Sequence, residues 1–519
     1  MRSKQQYFYN ALLLTLVTLL MRTVSVAFNV YVSGKVGSEA MGLLSLISGV
    51  YGFAVTLATS GVHLATVRTL AACLQRSGGA ENRRALLACL QYATFFGTLA
   101  TVLLACLAAP IGRYALKDPR TVRALYLLSA TLLPTAVSAV FNGYFTAMRR
   151  AYKNAVATVT EQAIKITFTG YLLVAAAPRS VEGSVLAIFL GGAVAELASL
   201  LCNLLLYALD KRHFKGVPPQ KHGERMRVAR IALPVAISAY MRSGLLTIEH
   251  ILIPRGLQAF GKGNSAALAS YGALHGMALP VVLYPAAILS SFAGLLIPEI
   301  TEQHAAGNKR EIRYIAGRVY QTALLFSIGV SAVMLAFSGG LGRVLYQSSE
   351  VAYFIKMLAP LIPIMYIDSA TDAILKGMGE QVYSMNVNIL DATVSVILVW
   401  LLVPRLGING YLITIYITEI LNAACSIVRM LRVSGFRPRI ITLLLRPLLC
   451  AVAATAAAKL VFAPLLSMKA GGFVLALQIF LVVLVYFFLL FLTNTVKTED
   501  IKWLFFSLSP AKNATNSKK

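Results

Sequence analysis

Charge is what this chain has least of. Its 519 residues include 20 Asp and Glu against 47 Lys and Arg, and charged residues make up 13% of the total, about half the share of an ordinary soluble protein. So few charges cannot cover a water-facing surface of this size, which excludes a soluble multidomain protein. Cysteine is also thin. The six Cys are scattered, with no CxxC pair, so neither a zinc site nor a disulfide framework is indicated. The six His show no metal-ligand spacing. No GxxxxGK[ST] phosphate loop occurs, which removes the usual nucleotide-driven machinery. The alternation of barrel strands is missing too, leaving helices as the spanning element.

What fills the chain is apolar sequence, 58% of it hydrophobic. A span needs about 20 apolar residues. About fourteen runs qualify, from 7–32 to 472–493, so the fold is expected to be all-α and polytopic. The first run follows Arg2 and Lys4 and has no small-residue cleavage site after it, so it is expected to remain as a span. The net charge of +27 would suggest nucleic acid in a soluble protein. Here the basic residues collect between the apolar runs, as orientation by positive charge requires, and they suit anionic membrane lipids. No nucleic-acid partner is expected. The Lys and Arg asymmetry puts both termini and the basic 210–230 connection in the cytoplasm of a multi-pass cell-membrane protein. Arg113, Lys117, Arg120 and Arg123 run against it, since this count puts them outside.

The 210–230 connection contains Pro218 and Pro219 and divides the chain. The expected organisation is a six-helix lobe at 1–209, the linker, a second six-helix lobe at 231–433, an added helix pair at 434–493 and a tail at 494–519. The lobes look like repeats. "MRTVSVAFNV" from Met21 answers "MRSGLLTIEH" from Met241, and "LLPTAVSAVFNGYFTAMRRAY" answers "LIPIMYIDSATDAILKGMGEQVY". An even number of spans per half makes the repeats parallel, with a path between them.

Charges within the spans mark candidate sites, because each costs about 2.5–3.5 kcal/mol at mid-membrane. Glu161 and Lys165 sit one turn apart and are expected to form an internal ion pair. Asp368, Asp372 and Lys376 repeat that spacing, as either a structural network or an ion site. Glu196 has no neighbour in sequence. Arg22 and Arg242 stand at similar depth in the first helix of each half, with no acidic residue one turn away. A guanidinium there suits bidentate contact with phosphate or carboxylate, and pairing with an acid on another span is the alternative. Asn29 lies two turns beyond Arg22. Ser45, Ser48, Gly52, Thr56, Thr59 and His63 form a stripe on one helix face, either a packing seam or a wet wall. His275 lies in "YGALHGMALPVVLYP", whose glycines and prolines predict a broken helix. Glu249, Asp391 and Glu419, with Asp368 and Asp372, are candidates for sodium or proton coupling. No other cofactor is expected.

The segments 12–46 and 271–302 and the basic break after span 6 resemble the multidrug, oligosaccharidyl-lipid and polysaccharide flippase superfamily, nearest to its stage V sporulation protein B group. The resemblance covers about 1–435, and the last two spans suit the fourteen-span members. It implies two six-helix lobes, alternating access and an undecaprenyl-pyrophosphate-linked sugar, such as a peptidoglycan precursor, as substrate. It also implies that Arg22 matches a span-1 cavity arginine of the lipid II flippases. Their second- and eighth-span cavity arginines have no counterpart here. A monomeric transporter, not an enzyme, is expected. A cation-coupled multidrug exporter of the same fold is the rival reading. Short outer loops argue against a membrane glycosyltransferase, and a non-transporting scaffold would leave the intramembrane charges without a purpose.

Overall fold

The computed structural model describes residues 2–76, 80–175, 180–211, 224–436, 441–461 and 471–496. Most of the basic linker, the stretch 462–470 and the tail from 497 therefore lie outside the described residues. The first half contains α1 (Arg2–Thr59), α2 (Val62–Arg76), α3 (Ala80–Pro110), α4 (Thr121–Ser129), α5 (Leu132–Ala147), α6 (Ala151–Ala175) and α7 (Val181–Lys211). The second contains α8 (Glu224–Ala259), α9 (Asn264–Tyr271), α10 (Leu279–Leu283), α11 (Ala286–Ala305), α12 (Lys309–Tyr346), α13 (Ser349–Leu358), α14 (Ile362–Gly377), α15 (Gln381–Leu406) and α16 (Ile408–Ser434). The last pair is α17 (Arg446–Val461) and α18 (Gly472–Leu492), and no strand occurs among the described residues.

Ten described stretches are long and apolar enough to cross a membrane, and an eleventh arises if α4 and α5, bent by 43°, count as one span. One of the ten, Val17–Cys73, is 57 residues long and holds two crossings. Its turn is at Gly37, where φ is 80°, a conformation that glycine adopts at little cost. Counting that stretch twice and adding α6 and the shorter apolar Leu443–Ala457 reaches the fourteen expected. α6 carries Glu161, Gln162 and Lys165, which is why its polarity conceals it.

The repeat is visible in matched turns. Helices α5 and α14 both end on a methionine, Met148 and Met378, followed by a left-handed residue, Arg149 (φ 58°) and Gly379 (φ 80°). In each turn the next amide closes back five residues, Arg150 N to Phe145 O at 2.8 Å and Glu380 N to Leu375 O at 2.9 Å, as in a Schellman cap. The charged residue that follows then pairs with the last helix of its own half. Arg150 and Lys153 hold Asp210, while Glu380 holds Arg429 at 2.8 Å. The position is conserved between the halves but the polarity is reversed.

The opposite end is tied across the halves. Arg120 reaches Asp118 at 2.7 Å and Glu39 at 2.8 Å. From the second half, Ser265 donates to Glu39 at 2.9 Å, Asn264 to Asp118 at 3.3 Å, and Arg255 to the Tyr114 carbonyl at 2.5 Å. The Asp118 hydrogen bonds, ahead of those from Glu39, push the Arg120 pKa above its already high ordinary value. Arg123 meets Glu182 at 3.4 Å. Two of the four basic residues that oppose the orientation rule are thus neutralised locally. The backbones also meet here, because Gly42 and Gly272 face each other. A Cβ on Gly272 would lie 2.1 Å from the Ser38 oxygen, and one on Gly42 would lie 1.9 Å from the Leu268 oxygen.

The α17–α18 pair packs on α12, where Tyr486 donates to the Leu325 carbonyl at 2.9 Å. Gly329 and Gly340 leave room for Tyr486 and Leu475.

Candidate functional site

A polar cavity of about 600 Å³ lies inside the first half and is capped by the second. The first stretch of α1 lines it with Ser25, Phe28, Asn29 and Val32, a spacing of three and four that makes one helix face. Its second stretch adds Ser45, Ser48 and Tyr51, and α6 adds Glu161, Gln162 and Lys165. Phe189 and Glu196 come from α7, and His250 and His275 from the second half. Gly49 admits the His250 ring, since a Cβ there would come within 2.9 Å of it.

The ionic residues interact with one another. Glu196 faces Glu161, Lys165 and the Thr135 hydroxyl. Glu161 faces Ser199 and Lys165. The Tyr51 hydroxyl meets that of Thr131 at 2.7 Å. Two carboxylates and one ammonium in apolar surroundings would cost on the order of 8–10 kcal/mol unpaired. Pairing Lys165 with one carboxylate leaves the other to be met by a proton, water or a polar ligand. Asn29 Oδ1 is buried without a hydrogen-bond partner among the described residues.

His275 sits in a π-helical turn, Gly272–Ala278, between α9 and α10. This is the expected break in span 8, and such turns collect at functional sites. The residue is not alone. Its ring lies 4.7 Å from that of His250 and 5.3 Å from that of Tyr271, and it stacks at 6.4 Å on Tyr411. His250 Nδ1 meets the Tyr271 hydroxyl at 2.7 Å.

Behind this cluster the second half holds a row of carboxylates. Buried Glu249 faces Ser395, Tyr411 and Asp391. Glu419 faces Asp391 and Asp368. Asn422 donates to Asp368 at 3.1 Å, Ser384 donates to Asp372 at 2.5 Å, and Lys376 stands 3.5 Å from Asp372. Asp368 Oδ1 and Asp391 Oδ1 are buried without hydrogen-bond partners among the described residues. All five carboxylates proposed for coupling therefore lie in one connected region. No three His, Cys, Asp or Glu side chains among the described residues converge closely enough to hold a metal ion.

Of the residues expected at a substrate site, Asn29, Ser48 and His275 line the cavity. Arg22 is exposed and lies outside its wall. It continues the stripe of Ser25, Asn29 and Val32 one turn lower, about 4.5 Å along the axis from Ser25. Arg242 is exposed and lies within electrostatic reach of Asp391, on the side of the carboxylates and not of the cavity. Thr56 and Thr59 bond their own helix carbonyls at 2.8 Å and do not reach the cavity. His63 leaves the stripe because α1 ends at Thr59 and the chain turns at Gly61, where φ is 76°. Glu161, Lys165 and Glu196, read as a local pair and an orphan, turn out to share the cavity wall. Tyr51, Thr131, Gln162 and His250 escaped the sequence reading. Gln162 beside the Glu161 and Lys165 pair was the available signal.

The chain is a two-part helical body with ionisable groups inside its spans and one end tied across the halves, and its matches to known proteins place it in the flippase superfamily of membrane transporters. Residues 8–304, more than half of the chain, match the family model described as polysaccharide biosynthesis protein, and the chain belongs to that family. Residues 259–401 match the MatE model. Stage V sporulation protein B of Bacillus subtilis is 26% identical over 418 residues, covering 79% of this chain and 80% of that protein. Among solved structures, lipid II flippase MurJ in an inward closed conformation aligns with a TM-score of 0.71 at 12% identity, over 95% of this chain and 99% of that one. An inward-facing multidrug resistance MATE family transporter aligns at 0.66 and 14% identity, over 82% and 98%.

Proposed function

We propose that this chain flips an undecaprenyl-pyrophosphate-linked oligosaccharide of the peptidoglycan-precursor kind from the inner to the outer leaflet, by alternating access, during sporulation. One observation carries the reading. The α1 stripe runs from an exposed guanidinium, Arg22, through Ser25 and Asn29 into a polar cavity. A lipid-linked pyrophosphate needs such a layout, with a cation at the mouth for the phosphates, polar room beyond for the sugar, and lipid at the side for the tail. The relative named for sporulation and the solved lipid II flippase support the substrate class. On this reading the protein has no catalytic group. Depletion tests it, with the lipid-linked precursor expected to accumulate on the inner leaflet. Unchanged leaflet distribution would reject the assignment.

The orientation belongs to this proposal. Both termini face the cytoplasm and the Glu39–Arg120 tie faces outward. Cysteines at 216 and 515 should resist a membrane-impermeant maleimide in intact cells, whereas one at exposed Lys117 should react. The reverse pattern would invert the transporter.

The carboxylate row supports a second element of the mechanism, coupling to a sodium ion or proton, which is also what a cation-driven exporter would need. Glu249→Gln, Asp391→Asn and Glu419→Gln should each reduce the response of transport to an imposed ion gradient, by roughly tenfold if a charged contact of about 1.5 kcal/mol is lost. Vesicle uptake measured with and without the gradient decides it. Three variants with the parent's gradient response would remove coupling from this region.

A further inference from the structure

We infer that His250 and His275, with Tyr271 and Tyr411 behind them, pass the charge state of Glu249 to the wall of the first-half cavity. They are positioning residues, and their ring packing carries a change at Glu249 across to Ser48 and Gly49. The inference deepens the coupling proposed for the carboxylate row and, for its use in transport, rests on it. It adds the contact by which that row reaches the cavity.

The placement starts with two consecutive residues. Glu249 and His250 stand about 100° apart around α8, so one helix turns a carboxylate to the second half and an imidazole to the first. His250 lines the cavity. Its ring fills the notch at Gly49 of α1, where a Cβ would stand 2.9 Å from it. Thr247, nearly one turn back on α8, has its hydroxyl 3.0 Å from the Gly49 carbonyl. The cavity wall at Gly49 is therefore seated on α8.

Glu249 is 8% exposed and lies inside a span. Ser395 from α15 and Tyr411 from α16 donate to it, and Asp391 from α15 and Tyr271 from α9 stand within its field. Asp391 is faced in turn by Arg242 and Glu419. None of the groups that face Glu249 directly is a cation, so the two hydroxyls hold its negative charge. A hydrogen bond to an ionised acceptor is roughly twice as strong as one between neutral groups. A proton or cation arriving at Glu249 thus slackens its hold on Tyr411.

Tyr411 is 3% exposed and stacks on His275 at 6.4 Å. The His275 ring lies 4.7 Å from that of His250 and 5.3 Å from that of fully buried Tyr271, whose hydroxyl meets His250 Nδ1 at 2.7 Å. A close-packed interior has no slack to absorb a shifted ring. Movement of Tyr411 is therefore handed to two rings that line the cavity.

Ser48 reports on that wall, because it is exposed, lines the cavity and precedes Gly49. In the full chain in detergent, lacking its native cysteines, Ser48→Cys is labelled with bimane, whose emission follows its surroundings. Glu249→Gln makes the neutral form permanent and should shift that emission. Combined with Glu249→Gln, either His275→Ala or Tyr411→Phe should remove most of the shift, whereas His275→Phe, which keeps a flat ring against Tyr411, should keep it. A merely structural histidine would lower Tm in His275→Ala and leave the response to Glu249→Gln in place. Tyr411→Phe removes one oxygen and leaves the packing, so it decides the matter if His275→Ala does not fold. No shift in Glu249→Gln, a shift that survives His275→Ala or Tyr411→Phe, or one that is lost in His275→Phe would overturn the inference. Gradient-driven transport by the unlabelled chain tests the coupling reading separately. If Glu249→Gln keeps the parent's gradient response while the bimane pattern holds, the row is not the coupling site and the packing link stands. If that response is lost and the bimane pattern fails, the row couples by another route and this link is wrong.

Discussion

Arg22→Ala should reach the membrane in normal amount and fail to transport. Removing the cation lowers the cost of inserting the first span by about 2.5–3.5 kcal/mol, and the guanidinium is exposed, with no ion pair among the described residues whose loss would loosen the fold. A charge-assisted hydrogen bond contributes about 1.5–3 kcal/mol. Losing a two-pronged contact with pyrophosphate should therefore lower the flipping rate on the order of 100-fold. Arg22→Lys keeps the charge, loses the planar fork and should retain an intermediate rate. A structural arginine would give the opposite order, with Arg22→Ala stranding an acidic partner and lowering abundance and Tm. Membrane abundance, Tm and flipping measured on both variants separate the two. A well-expressed, fully active Arg22→Ala protein would exclude the cation from the mechanism.

The second large effect is expected at Gly272. The end tied by Glu39 and Arg120 closes because two backbones touch, and a Cβ on Gly272 would stand 2.1 Å from the Ser38 oxygen and 2.3 Å from the Gly42 nitrogen. Neither neighbour is a side chain that can rotate away. A carbon rests against a carbonyl oxygen at about 3.3–3.6 Å, so α1 and α9 must part by roughly 1 Å or more. Overpacking of this kind costs about 1–3 kcal/mol, and the contacts across the end are lost with it. In a background lacking the native cysteines, Glu39→Cys with Ser265→Cys should be bridged by a short bis-maleimide, since Ser265 Oγ and Glu39 Oε1 lie 2.9 Å apart. Adding Gly272→Ala should abolish the bridge and most transport while the protein still inserts. Gly263→Ala is the control, because a Cβ there meets nothing within 4 Å, and it should change neither readout. Normal bridging and transport in Gly272→Ala would show that this end does not need backbone contact to close.

What the sequence by itself determined is whatever follows from one helix at a time. Apolar length set the class and the approximate number of spans. The matching segments at 132–152 and 361–383 announced the repeat, and the structure resolves them into matched helix ends with their pairing charges reversed. The shared face of Arg22 and Asn29 was legible, because a helix period of 3.6 decides which side chains share a face. Which face meets which helix was not, because that depends on contacts between residues far apart in the chain. Glu161 and Lys165 looked like a closed pair when only their own helix was considered, yet α7 brings Glu196 against them and opens the three onto a cavity. Thr56 and His63 fitted the periodicity, but the turn at Gly61 took His63 out of register, and Thr56 lies beyond the part of α1 that lines the cavity. His275 seemed isolated until α8 and α16 supplied His250 and Tyr411. Glu249, Asp391, Glu419, Asp368 and Asp372 come from four helices, so their meeting is decided by helix packing, because side chains on different helices share no periodicity in the sequence.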